Sequence, residues 1–176
     1  MKNYEFIITH KGGHFFGMGA LVALLYLGLG TAKNKTQLQD IAIAFGKYAQ
    51  VQDDFLDAFE DPAILGKVGT DIQEGKCTWL DIKALERCTP GQRKLPEENY
   101  GVEDEGKVEK VKALYRESCL DQVFSEYEAI ALRELRTMVE KLDETEGLTR
   151  ASLRNLPVKN VKLGSQRMTI QEIGTE

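Results

Sequence analysis

The chain is poor in the residues that make disulfide frameworks, zinc sites and nucleic-acid surfaces. Its three cysteines in 176 residues are Cys77, Cys88 and Cys119, an odd number with no short paired spacing. That pattern excludes a disulfide scaffold and a cysteine zinc site, and it reads as reduced thiols in a cytoplasmic compartment. Only two histidines are present, His10 and His14. They flank the weak helix former Lys11-Gly12-Gly13 and supply too few ligands for a metal centre on their own. There is no basic excess: the formal net charge is -5. A nucleic-acid surface is therefore not expected, although two or three local lysines, or carboxylates acting through Mg²⁺, can still hold a small phosphorylated ligand. Segments of alternating polar and apolar residues are missing too, so strands are not expected.

With 42% hydrophobic and 29% charged residues the chain has an ordinary globular balance. One unbroken apolar run stands out, Phe15 to Gly30. It is shorter than the roughly 20 residues a membrane span needs, it contains several glycines, and it lacks the basic start of a signal peptide. The expected reading is a helix buried on all sides in an all-α core, with a signal-peptide core and a membrane span as the alternatives.

Helix signals dominate the rest. Thr36 and Gln39 have the spacing of a capping box, and Ile41, Phe45, Tyr48, Phe55 and Phe59 follow at helical spacing with Gln52 interrupting the stripe. A long helix is expected over about 37–59, closed by Pro62. Thr89-Pro90 with Gln92 gives a second start signal. Asp121 is the expected cap of a further helix whose apolar stripe is Phe124, Tyr127, Ala131, Leu135, Met138 and Leu142. From about Asp143 the periodicity fades. The expected division is a helical domain over 1–142 and a divergent, loose tail over 143–176.

The sharpest chemical signal is Asp53-Asp54-Phe55-Leu56-Asp57 inside the long helix. Residues i and i+4 share a face, so Asp53 and Asp57 are expected to point the same way, with Asp54 beside them. Crowded carboxylates raise one another's pKa unless a cation is present, and Mg²⁺ suits them because it takes oxygen ligands and completes its shell with water and phosphate. An ordinary solvated acidic face is the competing reading, weakened by the apolar neighbours Phe55, Leu56 and Phe59. Next comes Gly66-Lys67-Val68-Gly69-Thr70-Asp71-Ile72, then Lys76. Glycines permit close backbone approach and lysines supply point charges for phosphate. Such a loop, directly after an aspartate helix, can close over a Mg²⁺–diphosphate; a surface turn with solvated lysines is the plain alternative, and Lys11 is by itself a surface lysine.

The string Gln50-Val51-Gln52-Asp53-Asp54-Phe55-Leu56-Asp57, Asp61-Pro62, Gly66-Lys67-Val68-Gly69-Thr70-Asp71-Ile72-Gln73 and Lys76-Cys77-x-Trp79 resembles the second aspartate-rich region of the farnesyl diphosphate synthases. The likeness runs on through Ala84-Leu85-x-Arg87, Thr89-Pro90-x-Gln92, Glu98-Asn99-Tyr100-Gly101 and Lys107 to Tyr115, and covers roughly residues 36–130. It implies an isoprenoid synthase-type helical bundle around a central cavity. It also implies Mg²⁺-dependent condensation of isopentenyl diphosphate with an allylic diphosphate, geranyl or dimethylallyl, to give farnesyl diphosphate. Carried over by position, Asp53 is the chief metal ligand, with Asp54, Asp57 and Asp71 in the metal set. Lys67 and Gln50 act at the allylic diphosphate, and Lys76 supports the charges of the loop. His10-Lys11-Gly12 aligns with the family's Tyr-Lys-Thr, which makes Lys11 a second diphosphate lysine. A homodimer is the implied assembly.

This sequence departs from the family pattern at Gly12 (threonine in the family), Phe15 (tyrosine) and Ala49 (an aromatic). The first aspartate motif, the basic residues that hold isopentenyl diphosphate and the basic C-terminal tail have no counterpart here, so the chain is expected to carry part of the site only. Two other readings follow: a non-catalytic relative that regulates a complete synthase, and a family-derived terpene synthase.

Overall fold

The computed structural model describes residues 2–153, 161–163 and 166–168. In chain order the elements are α1 (Lys2–Ile8), a π-helical turn (Thr9–Gly13), α2 (His14–Tyr26), α3 (Ala32–Phe59), α4 (Pro62–Leu65), α5 (Trp79–Arg87), α6 (Lys94–Asn99), α7 (Glu105–Glu117), α8 (Leu120–Glu140), α9 (Arg150–Leu153), β1 (Val161–Leu163) and β2 (Gln166–Met168). The fold is all-α as expected, apart from one short antiparallel hairpin in which Val161 faces Met168 and Leu163 faces Gln166. Three residues per strand are too few for a period-2 pattern to announce itself in the sequence.

The long helix starts earlier than expected. Thr31, not Thr36, is its cap: the Thr31 hydroxyl accepts the Asn34 amide at 3.2 Å, and its carbonyl takes the Lys35 amide at 3.0 Å. Thr36 lies within the helix and donates its hydroxyl to the Ala32 carbonyl at 3.1 Å, a common fate for a helical threonine. The helix ends at Phe59, and Pro62 opens α4 with Asp61 as its cap. The expected Thr89–Gln92 pairing is present: the Thr89 amide donates to Gln92 Oε1 at 3.0 Å and the Gln92 amide to Thr89 Oγ1 at 3.4 Å. It closes a turn, and α6 follows only at Lys94. Asp121 is already the second residue of α8, which follows Cys119 at φ 52°.

The chain divides into two compact units, Met1–Phe6 with Gln50–Tyr127 and Ile7–Ala49 with Glu128–Glu176. The first is filled by Val51, Ala58, Ile72, Trp79, Leu80, Ala84, Val111, Leu114, Tyr115, Leu120 and Phe124. Phe55 stacks on Phe124 with ring centroids 4.0 Å apart, and Trp79 meets Phe124 edge-on; such pairs add to plain area burial.

In the second unit Ala20, Leu24, Leu38, Leu142, Leu148 and Leu153 form one core. Residues 143–153 therefore belong to packed structure, and the loose segment expected from Asp143 does not begin there; most of the remainder of that segment lies outside the described residues. Gln37 exchanges hydrogen bonds with the main chain of Asp143, and Lys33 reaches the Asp143 carboxylate at 2.7 Å. The buried Asn34 donates to the carbonyls of Leu29 and Glu146. Polar side chains make this closure, which is why a hydrophobicity pattern does not reveal it.

Helix α2 corrects a second expectation. It is apolar throughout but buried along one face only, at Gly17, Ala20 and Leu24. Phe15, Met18, Val22, Leu25 and Tyr26 lie outside, with Tyr26 90% exposed. Periodicity cannot separate the two faces of a helix that is apolar all round. Among the described residues no helix is long and apolar enough to cross a membrane.

Candidate functional site

Seven of the eight residues read from the sequence as site residues stand in one unit, on the C-terminal part of α3 and the segment after it. Gln50, Asp53, Asp54, Asp57, Lys67, Asp71 and Lys76 all lie between Gln50 and Tyr127, whereas Lys11 belongs to the other unit. The structure gives the three helix aspartates three different surroundings. Asp53 faces solvent, its side chain 53% exposed, and Lys67 Nζ approaches its Oδ1 at 3.4 Å. At that exposure the ion pair contributes little to stability. Its use is to hold a carboxylate and a lysine side by side in water.

Asp54 faces inward and is 4% exposed. Its Oδ2 accepts the Tyr4 hydroxyl and the Trp79 amide, both at 2.8 Å, and its Oδ1 accepts Gln50 Nε2 at 3.0 Å. One carboxylate thereby ties α1, α3 and the first residue of α5 together. Burial pushes its pKa up to about 6, opposed by the Trp79, Gln50 and Tyr4 hydrogen bonds. The cause is loss of water rather than crowding by the other two aspartates, contrary to the sequence reading. Tyr4, beside it, has its phenol pushed far above the usual range by the same burial. Gln50 is thus committed to Asp54 rather than aimed outward.

Asp57 is 6% exposed. It accepts the Asp71 amide on Oδ2 at 2.9 Å and the Thr70 amide on Oδ1 at 3.3 Å. The chain reaches it through Gly66, which ends α4 in the left-handed region at φ 78°, where glycine carries no steric cost. Asp71 in turn receives Lys76 Nζ at 2.8 Å, and Lys76 also pairs with Glu74 at 2.9 Å. Those two acids raise the Lys76 pKa, the Asp71 hydrogen bond most, so Lys76 stays charged throughout the ordinary pH range.

The turn that carries Asp71 and Lys76 is clasped from behind. The Tyr100 hydroxyl donates to the Lys76 carbonyl at 2.6 Å and the Gly101 amide to the Ile72 carbonyl at 2.8 Å. Gly75 and Gly101, both at positive φ, meet so closely that a Cβ on Gly75 would lie 3.1 Å from Gly101 Cα. Tyr100, Gly101 and Trp79 occur in the recognised string, but nothing in the sequence assigns them these duties, and Tyr4 carries no local signal at all.

Lys11 is exposed, on the π-helical turn. Its neighbours Gly12 and Gly13 are buried there against α3: a Cβ on Gly46 would lie 2.5 Å from the Gly12 carbonyl carbon and oxygen. π-helical turns recur at functional positions. His10, within the turn, and His14, directly after it, meet edge to face with ring centroids 5.0 Å apart. Among the described residues no three His, Cys, Asp or Glu side chains are grouped to hold a metal by themselves.

The family model described as polyprenyl synthetase matches residues 1–118. The farnesyl pyrophosphate synthase of Schizosaccharomyces pombe is 37% identical over 152 residues, covering 86% of this chain and 44% of that protein. Farnesyl pyrophosphate synthase 2 of Arabidopsis thaliana is 44% identical over 135 residues, covering 76% and 39%. Among solved structures, T. brucei farnesyl pyrophosphate synthase aligns with TM-score 0.76 at 34% identity, over 81% of this chain and 44% of that one. The same enzyme complexed with a bisphosphonate aligns with TM-score 0.79 at 32% identity, over 86% and 42%. The chain spans less than half the length of these relatives.

Proposed function

Because the chain belongs to the polyprenyl synthetase family, we propose that it acts in isoprenoid biosynthesis and carries the diphosphate-handling half of a prenyltransferase site. The reaction is condensation of isopentenyl diphosphate with geranyl or dimethylallyl diphosphate to give farnesyl diphosphate. The observation that supports this best is the pairing of Asp53 with Lys67: an exposed carboxylate on a rigid helix beside an exposed lysine on a glycine-bounded loop. The loop is fixed at Thr70 and Asp71, and a second lysine, Lys76, stands beside Asp71.

The donor set fits Mg²⁺ in that ion's usual protein setting, one or two carboxylates with the remaining ligands from water and phosphate. Asp53 is the solvent-facing donor and Asp71 the second, whereas both oxygens of Asp54 and of Asp57 already accept protein N–H or O–H groups. When bound, Mg²⁺ would supply positive charge to a departing diphosphate. Lys67 holds the diphosphate as a point charge. Asp54 and Gln50 keep the helix face that bears Asp53 turned outward. In the reaction the allylic C–O bond breaks with its electron pair on the diphosphate, the isopentenyl double bond supplies the new C–C bond, and a proton leaves.

Turnover of labelled isopentenyl diphosphate with geranyl diphosphate and Mg²⁺ tests this reading. Product from the full chain that falls at least a hundredfold in Asp53→Ala supports it, since one electrostatic contact at a reacting centre is worth about 10² or more. Product formation unaffected by Asp53→Ala removes Asp53 from the role.

One observation favours a second reading, a subunit that binds and regulates a complete synthase. The outer face of α2 exposes Phe15, Met18, Val22, Leu25 and Tyr26 together, and contiguous apolar surface of that kind marks association. The same face suits a homodimer. No product from the chain alone, with co-purification on a complete synthase, favours the regulator. We place the protein in the cytoplasm, in keeping with its unpaired cysteines.

A further inference from the structure

In the sequence Asp53 and Asp57 are equivalent, one helical turn apart on a shared face, yet the structure treats them in opposite ways. The side chain of Asp53 is more than half exposed, while Asp57 is 6% exposed. The difference comes from the segment that follows α4. It folds back over Asp57, and two successive amides, Thr70 and Asp71, donate to its two carboxylate oxygens at 3.3 and 2.9 Å. Gly69 lies directly on the helix there: a Cβ at Gly69 would stand 1.9 Å from the Asp57 carbonyl oxygen and 2.8 Å from its Oδ2. No other residue fits without moving the loop, because the obstructing atom is backbone. The segment gripped in this way carries Lys67 at one end, paired with Asp53, and Asp71 at the other, paired with Lys76.

We propose that Asp57 is a positioning residue rather than a cation ligand: it fixes the Gly66–Asp71 loop on α3 and so sets Lys67 and Asp71 at the Asp53 face. The inference rests on the diphosphate-binding reading above for its consequence, but not for its geometry. A carboxylate whose two oxygens both accept main-chain amides, and which a glycine covers, has its lone pairs turned to the loop and away from solvent.

Two full-chain variants test it with two independent readouts. The first readout is hydrogen exchange at the Thr70 and Asp71 amides. The second is calorimetric binding of Mg²⁺ with inorganic pyrophosphate. In Asp57→Asn one of the two oxygen acceptors becomes an amide donor. The Thr70 and Asp71 amides should then exchange at least about tenfold faster, and pyrophosphate affinity should fall by about tenfold, the equivalent of one hydrogen bond. Gly69→Ala leaves the carboxylate intact and displaces the loop, so it should show the same two changes. Pyrophosphate binding lost in Asp57→Asn, with both amides still protected and Gly69→Ala binding as the unmodified chain does, would make Asp57 a ligand and overturn the proposal. Unchanged exchange in both variants would overturn it as well. If the unmodified chain fails to bind pyrophosphate, the functional reading falls, while the exchange experiment still decides whether Asp57 holds the loop.

Discussion

Helix α3 has two interiors. Along Ala32–Ala49 the inward positions are Asn34 in the first turn and then Leu38, Ala42, Phe45, Gly46 and Tyr48, so beyond that first turn burial is apolar packing with one very close backbone approach. Along Gln50–Phe59 the inward positions include Gln52, Asp54 and Asp57, among the few buried polar or charged side chains of the described residues. The same helix changes from a packing element to a polar hub within a turn. Buried polar groups cost free energy unless their partners are present. Here the partners of Asp54 and Asp57 come from α1, α5 and the loop, so the second half of the helix is right only if those segments are right. A polar interior stabilises less than an apolar one, but it specifies more: each hydrogen bond names its donor.

The largest expected effect that separates the two interiors is Asp54→Ala. It leaves the Tyr4 hydroxyl and the Trp79 amide without an acceptor at a buried position. Loss of about 3 kcal/mol in urea unfolding is expected, from roughly 1–3 kcal/mol per orphaned buried group. A loss below about 1 kcal/mol would mean that this interior tolerates disorder in its partners.

The next effect is pH dependence. The folded pKa of Asp54 stands at about 6 against an ordinary 3.8, so between those values the folded chain keeps a proton that the unfolded chain releases. The stabilisation this group provides is fully present below about pH 4 and is lost as pH rises through about 6, a decline of about 3 kcal/mol at most. Asp54→Asn keeps one acceptor oxygen and carries no charge, so its stability curve should be flatter by that amount over pH 4–6. Denaturant midpoints of the two proteins across this range check it, and parallel curves would refute it.

The smallest effect belongs to the apolar interior. Gly46→Ala puts a methyl group 2.5 Å from the Gly12 backbone and should cost about 2 kcal/mol, a typical overpacking penalty. Thermal unfolding measures it; a loss equal to that of Asp54→Ala would erase the contrast between the two halves.

Much of this was legible beforehand. The all-α class, the long helix with its end before Pro62, and the apolar stripe of α8 through Phe124 and Leu135 follow from spacing alone. So did the grouping of Asp53, Lys67, Asp71 and Lys76, because they lie within 24 residues on one helix end and the segment after it. The start of α3 is hidden in the sequence because Thr31 and Thr36 are both suitable caps by residue type. Asn34 and Gln37, which bond to residues 143–146, decide between them from more than a hundred residues away. The faces of α2 were equally hidden, since an all-apolar helix has no phase to read.

What the sequence determined by itself is periodicity, capping chemistry and the order of charged residues along the chain, all local quantities fixed by 3.6 residues per turn and by side-chain type. It set which residues share a helix and which loop follows it. Only the tertiary structure decided which way that helix is turned: that Asp53 meets water, that Asp54 meets Tyr4 and Trp79, and that Asp57 meets the loop. The physical reason is that a carboxylate can be satisfied by water or, at a cost in desolvation, by hydrogen-bond donors of the protein. Its direction is therefore settled by donors 14, 25 and 50 residues distant in the chain, which no local pattern encodes.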